Sequence, residues 1–258
     1  MPVAGLYSGP RMIKPCVVIP VYNHEAAVAG VVSQVLAQKL PCILVDDGSS
    51  PACASVLDTL AAATPDQITL IRHKLNRGKG AAVLSAVRCA AETGYSHAVQ
   101  IDADGQHRVT DVPRFLELAN AHPQALIVGC PEYDGSAPFV RYCARYLTHV
   151  WVSINTLSRH IKDSMCGFRV YPLPAVIELD RRCKLGARMN FDIEVLVRLY
   201  WAGVEIVNLP TAVTYPSDGL SHFRGWLDNV LISRMHATLF FGMLRRLPSL
   251  IARKWSMP

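Results

Sequence analysis

Two aspartates spaced two residues apart, Asp102 and Asp104, lie within the stretch "AVQIDADGQH" that runs from Ala98 to His107. Side chains at i and i+2 of an extended chain point the same way, so both carboxylates can face one site. Two such charges repel unless a cation or a proton lies between them. Taken alone, the pair is equally a strand end whose acids face water. Polar groups also gather just past three other apolar runs, in "PVYNHE" (Pro20 to Glu25), "VDDGSS" (Val45 to Ser50) and "LNRGKGAA" (Leu75 to Ala82). In an open parallel sheet, ligands sit beyond the carboxyl ends of the strands, so four clusters at matching places point to one binding site.

The elements that must position these clusters follow from the hydrophobic pattern. "CVVIPV" (16–21), "CILVDD" (42–47), "ITLIRH" (68–73), "HAVQID" (97–102) and "ALIVG" (125–129) read as buried strands. Helical patterns fall between them at 25–38, 51–63, 79–93 and 110–121, the last with Thr110 as its expected N-cap and Pro113 in its first turn. This alternation predicts an α/β fold with a mainly parallel sheet flanked by helices. After residue 130 the spacing predicts a helix over 138–158, with Arg141 and Arg145 on one face. The loop "KDSMCGFRVYP", a helix at 190–202 and a short strand pair near 204–215 are expected next. The stretch from Trp226 to Trp255 is helical in pattern, rich in arginine, and has Asp228 as its only acid.

The glycine-rich segment excludes two phosphate loops. A Walker A loop needs Gly at position 73, where His73 stands, and a dinucleotide fingerprint needs a third glycine where Val83 stands. Lys79 between Gly78 and Gly80 at a helix start leaves either an anion site or a tight turn with a solvated lysine. "DADG" is not an EF-hand opening, because Gln106 and Pro113 occupy the fifth and twelfth positions. A hard divalent cation shared between two carboxylates and a diphosphate fits better.

Composition sets the bounds. The 258 residues are 51% hydrophobic and 18% charged, as in ordinary globular proteins, with a net charge of +6. That balance suits anionic substrates or an anionic membrane surface, and is too small and too dispersed for a nucleic-acid partner. The 8 cysteines form no C-x-x-C pair, which disfavours a zinc site and fits reduced thiols. No apolar leader and no spanning segment of roughly 18 apolar residues is legible, so a cytoplasmic location is expected. Three parts are expected: an extension over 1–14, an α/β domain over 15–223 and a basic amphipathic helical segment over 224–258.

Taken together, "IPVYNHE", "VDDGSS", "NRGKGAA" and "DADGQH" resemble the donor half of family 2 glycosyltransferases of the GT-A fold, in particular the dolichyl- or polyprenyl-phosphate hexose synthases. "DSMCGFRVY" (Asp163 to Tyr171) is similar to their acceptor-side segment, and the resemblance covers about residues 15–215. It implies that Pro20, Tyr22, Asn23, Asp46 and Asp47 frame the base and ribose of a UDP- or GDP-sugar, with Glu25, Gly78, Lys79, Asp102 and Ala103 also on the donor side. It implies that Asp102, Asp104 and Gln106 hold Mn²⁺ or Mg²⁺ on the diphosphate, and that the reaction inverts the sugar. The metal would offset charge on the departing nucleoside diphosphate while the anomeric carbon becomes oxocarbenium-like.

Two acceptor chemistries stay open. A polyprenyl phosphate brings its own oxyanion and needs cations, for which Arg141, Arg145, Arg169, His222 and Arg224 are candidates. A hydroxyl acceptor (on a lipid, a polyketide-like chain or a glycan) needs a carboxylate base, for which Asp163, Asp192 and Glu194 are candidates. Asp192 and Glu194 read equally as helix-start acids, and Arg141 and Arg145 as a solvated helical face. Cys166 replaces the usual Ser, His24 stands where Glu is common, and Pro216 and His222 replace an Arg and a Lys of the relatives' R-x-x-G-x-S-K element. The loss of those two cations weighs against a lipid phosphate; His222 and Arg224 are the substitutes at hand. The C-terminal segment reads either as an interfacial anchor at the inner face of a membrane or as a core-packing helix. A non-catalytic sugar-nucleotide-binding protein is the rival from another class; retention of both aspartates and Gln106 speaks against it.

Overall fold

Apolar runs such as "CVVIPV" carry no polar alternation, so both faces of their strands must be covered. The computed structural model describes residues 12–133, 139–214 and 224–256, and of 133, 139–144 and 254–256 the backbone alone. Among these described residues there are seven strands: β1 (Pro15–Val21), β2 (Cys42–Asp46), β3 (Ile68–Arg72), β4 (His97–Gln100), β5 (Leu126–Tyr133), β6 (Arg169–Pro172) and β7 (Ile206–Val213). They form one sheet in the order β3-β2-β1-β4-β6-β5-β7, parallel except for β6, which runs against both its neighbours.

Helices cover both faces. On one side Cys16 and Val18 pack into a core with residues of α3 (Lys79–Glu92), α6 (Leu173–Arg182), α7 (Phe191–Trp201) and α8 (Gly225–Leu244). On the other, Val17 and Ile19 pack with α1 (Glu25–Ala37), α2 (Pro51–Ala63) and α4 (Val112–Ala121). The period-2 alternation of β1 thus feeds two cores from one unbroken apolar run. α5 (Phe139–Thr156) lies against α7 and α8, and α9 (Leu247–Ser256) closes the chain. Local signals set the starts: Ser50 caps α2 by accepting from the Cys53 amide at 3.3 Å, with Pro51 at the first helical position.

Several expectations are corrected. Thr110 does not cap α4; it lies in a 3₁₀ turn (Val109–Asp111), and Asp111 occupies the cap position without a side-chain capping bond, its carboxylate accepting instead from the Thr211 hydroxyl at 2.7 Å. The pair of strands near 204–215 is a single strand, β7, paired in parallel with β5. The loop "KDSMCGFRVYP" ends in β6, and α6 follows it, because an antiparallel strand inserted between β4 and β5 is invisible to local pattern. The C-terminal segment is two helices, and its Met235, Leu239, Met243 and Leu250 belong to the main core.

α3 and α7 touch where both enter the site. A Cβ on Gly80 would stand 2.7 Å from Cγ of Phe191, so only glycine lets the two helix starts approach this closely. Gly80→Ala should therefore lower stability by about 1–3 kcal/mol. Urea unfolding measures it, and an unchanged midpoint would mean the two helices are not held in contact.

Candidate active site

The site grows from the carboxyl ends of β1, β2 and β4. Past β1, Asn23 adopts φ 52, a left-handed conformation tolerated by Asn, and its side chain accepts from the Ser50 amide at 2.7 Å. Its own amide donates to Ser49 Oγ at 3.1 Å, so the first two strand-end loops brace each other. Asp46 accepts from the Ser49 amide and from Arg72 Nε, both at 2.9 Å. Asp47 accepts from the amides of Arg77 and Gly78 at 2.9 and 2.7 Å, and His73 Nδ1 lies 2.7 Å away. Both acids are buried. The Asp47 carboxylate fastens the loop "NRGKG" to the second strand, while that of Asp46 holds the turn at Ser49 and the Arg72 side chain, and together they shape the rim of the site.

At the centre stands Lys79. Its Nζ lies 2.9 Å from both oxygens of Asp102, hydrogen-bonded to Oδ2, and 2.9 Å from Asp192 Oδ2. Burial alone would lower the lysine's pKa; the charges of Asp102 and Asp192 outweigh it and hold the ammonium well above its ordinary value. Burial would likewise raise Asp102, yet Lys79 and His107 hold its carboxyl well below the usual carboxylate range. Gln100, at the end of β4, completes the cluster: it donates to Asp192 Oδ1 at 3.3 Å and accepts from the Tyr171 hydroxyl at 3.2 Å.

Asp104 differs from its partner. Burial first, and then the charge of Asp102, push its carboxyl above its ordinary value. Its one described bond is within the turn, from the Gln106 amide at 3.0 Å. Asp102 Oδ1 is buried with no hydrogen bond. A carboxylate with no ion pair among the described residues, beside a second carboxylate whose Oδ1 makes no hydrogen bond, suits a hard divalent cation. Among the described residues no group of three or more His, Cys, Asp or Glu could cage a metal alone.

The segment before β6 forms the second wall. Asp163 is buried and accepts from the amides of Met165 and Cys166 at 2.9 and 2.7 Å; Arg145 approaches to 2.5 Å and His149 Nε2 to 3.4 Å. Burial opposes ionisation here, but His149, Arg145 and the Cys166 amide together bring its pKa down to about 2. The expected role of Arg169 as a phosphate-binding or catalytic cation is not what its setting provides. It is fully buried and donates to the carbonyls of Cys166 and Ser164, both at 2.8 Å, and of Asp192. It locks the segment to the start of α7. Gly167 lets this segment lie directly on the Asp102 carboxylate, since a Cβ there would stand 2.6 Å from Oδ1.

The residues expected from sequence are thus divided. Asp46, Asp47, Gly78, Lys79, Asp102, Asp104, Gln106, Asp163 and Asp192 converge. Ala103 is buried between the two aspartates, while Pro20 and Tyr22 are half-buried at the end of β1. Glu25 is exposed at the start of α1. Glu194 lies two residues further along α7 than Asp192, where it accepts from the Gly186 amide at 2.8 Å and pairs with Arg198 at 2.7 Å. Arg224 is exposed at the cap of α8. The Arg141 side chain and His222 lie outside the described residues. Sequence reasoning missed Gln100, His73, His107, His149 and Gly167. A glutamine ending an apolar strand, and a histidine one turn after Arg145, were the available signals.

A mainly parallel sheet of this order, with acids converging at the strand ends and an antiparallel strand delivering a second wall, defines a GT-A fold. Solved structures bear this out. Glucosyl-3-phosphoglycerate synthase from Mycobacterium tuberculosis, in complex with Mn²⁺, UDP-Glc and glycerol 3-phosphate, superposes with a TM-score of 0.61 at 17% identity, over 90% of this chain and 80% of that one. A mannosyltransferase from Pyrobaculum calidifontis, in complex with GDP-Man and Mn²⁺, gives 0.59 at 17% identity, over 92% and 66%. The model of glycosyl transferase family 2 matches residues 16–172, and the chain belongs to that family of glycosyltransferases. It is similar to the polyprenol monophosphomannose synthase of Mycolicibacterium smegmatis, 27% identical over 232 residues, which are 86% of each chain. It is also similar to the undecaprenyl-phosphate mannosyltransferase of Micrococcus luteus, 25% identical over 215 residues, 81% of this chain and 86% of the relative.

Two measurements follow from this geometry. Gly167→Ala should displace the Asp102 carboxylate and weaken Mn²⁺-dependent nucleotide binding by about 10–100-fold, as loss of a supporting contact does; calorimetry with UDP and GDP reads it, and unchanged affinity would deny the contact. Asp163 contributes stability in full above its ordinary value of 3.8 and loses it as pH falls through about 2. Asp163→Asn should cost about 2 kcal/mol at neutral pH and flatten the acid limb of a stability–pH curve. An unaltered limb would place the acid sensitivity elsewhere.

Proposed function

We propose that this glycosyltransferase is metal-dependent and inverting. It moves a sugar from a UDP- or GDP-sugar to the phosphate of a lipid-type acceptor, at the cytoplasmic face of a membrane. The observation that carries the reading is the state of the acids. Each carboxylate that the sequence offered as base for a hydroxyl acceptor is already engaged: Asp163 by Arg145 and two amides, Asp192 by Lys79 and Gln100, Glu194 by Arg198 and the Gly186 amide. A carboxylate whose oxygens are already taken by cations and amide N–H groups is poorly placed to accept a proton from a hydroxyl. An acceptor phosphate needs none, because its oxyanion is the nucleophile. The names of the two curated relatives, a polyprenol monophosphomannose synthase and an undecaprenyl-phosphate mannosyltransferase, support the same acceptor class. The free thiols of Cys16, Cys42 and Cys166 accord with a reducing compartment.

Asp104, Asp102 and the Gln106 side chain would hold Mn²⁺ or Mg²⁺, which supplies charge to the departing diphosphate when bound. The chain's own residues prepare the rest. Lys79 keeps Asp102 ionised and fixed. The loops braced by Asn23, Asp46 and Asp47 receive the nucleoside, and the Asp163–Phe168 segment closes the acceptor side. The acceptor oxyanion attacks the anomeric carbon as the bond to the diphosphate breaks, its electron pair leaving with the nucleoside diphosphate, so the configuration inverts.

Calorimetry with UDP and with GDP, each with and without Mn²⁺, is the first test. One nucleotide is expected to bind with metal, and Asp104→Ala to abolish that dependence without changing the unfolding midpoint. Transfer to a polyprenyl phosphate but not to the matching polyprenol is expected. Transfer to the alcohol alone would overturn the acceptor assignment.

A further inference from the structure

The outward face of α5 is the reverse of what a surface helix presents to water. Tyr146 and Leu147 are 68% and 60% exposed, and Val150, Trp151 and Ile154 are 36–40% exposed. Their spacing of three and four residues sets all five on one stripe. The opposite face holds Thr148, Val152, Asn155 and Thr156, all buried, together with Arg145 on Asp163. Single exposed apolar residues need no explanation, but a contiguous stripe marks an interaction surface.

The stripe continues onto α8. Trp151 reaches that helix through ring contacts to His236 at 5.9 Å and Phe240 at 6.3 Å. There Trp226, Val230 and Phe241 are exposed at 86%, 46% and 62%. Between and beyond them lie exposed Arg234 and Arg245. α5 contains no acid, and the one acid from Gly225 to Ser256, Asp228, is 3% exposed and accepts from the Arg224 amide at 2.7 Å. The face is therefore aromatic and aliphatic, flanked by arginine, and free of exposed carboxylates.

We infer that the joint outer face of α5 and α8 lies on an anionic lipid surface, with its apolar side chains in the headgroup boundary and its arginines on the lipid phosphates. Aromatic rings and snorkelling arginines beside aliphatic side chains suit that boundary. Charge complementarity selects this partner over a second copy of the chain, whose identical face would bring arginine against arginine. No described helix is long and apolar enough to cross a membrane, so contact through a face is the available mode among the described residues. The inference rests on the lipid-acceptor reading above and sharpens it. α5 carries the lipid-facing stripe on one side and the Arg145–Asp163 pair on the other, so docking would bring the acceptor wall to the membrane.

Vesicle flotation tests it, with the full chain and vesicles of phosphatidylcholine alone or mixed with phosphatidylglycerol. The wild type should bind the mixed vesicles, and salt should weaken that binding. Leu147→Glu with Val150→Glu, and separately Trp226→Ala with Arg234→Glu, should each reduce it about tenfold or more with unfolding midpoints unchanged. No vesicle binding by the wild type, or binding indifferent to both double variants, overturns the inference. So does a self-associated wild type that the α5 variant converts to monomer without any vesicle binding. UDP and GDP calorimetry on the same preparations separates the two readings. Intact nucleotide binding with failed flotation sinks the membrane face alone, whereas flotation without nucleotide binding sinks the donor-site reading alone.

Discussion

A lysine ammonium held between two buried carboxylates organises this protein. Asp102 lies two residues past β4, Asp192 opens α7 and Lys79 opens α3, so one cation joins three distant parts of the chain. Either acid left alone in that setting would be costly to ionise, and the lysine offsets both. The arrangement demands that helix starts and strand end meet closely, which Gly80 and Gly167 permit by having no Cβ. Gln100 and Tyr171 then fix the remaining oxygen of Asp192.

That constraint divides the labour among the acids. Asp46 and Asp47 fasten loops, Asp163 and Glu194 anchor segments through paired arginines, and Asp192 answers Lys79. Asp104 makes no ion pair among the described residues, and its raised pKa reflects burial and the neighbouring Asp102 charge. A site built this way holds its geometry by internal ion pairs. Such preorganisation suits a reaction in which the protein mainly positions two phosphorylated partners.

α5 connects this chemistry to the outside of the molecule. Its inner face grips the acceptor segment through Arg145 and His149, while its outer face is apolar and continuous with α8. Of the two descriptions that the sequence left open for the C-terminal helices, packing into the core is the one the structure shows. Met235, Leu239 and Met243 pack into the core, and Trp226, Val230 and Phe241 face away from it.

The sequence by itself determined the alternation of strands and helices, the family, and the cluster of acids at the strand ends. These are local properties: an apolar run, a spacing of two, a glycine beside a lysine. It could not determine the antiparallel insertion of β6, since strand order depends on contacts between residues far apart in the chain. Nor could it separate the acids that act on ligands from those that hold the frame. Asp163, Asp192, Glu194 and Arg169 have the residue types a catalyst uses, and only the tertiary structure shows each of them committed to a partner. The reason is physical: a carboxylate's role is set by what neutralises it, and its neutralising partner here is most often distant in sequence, as Lys79 is from Asp192.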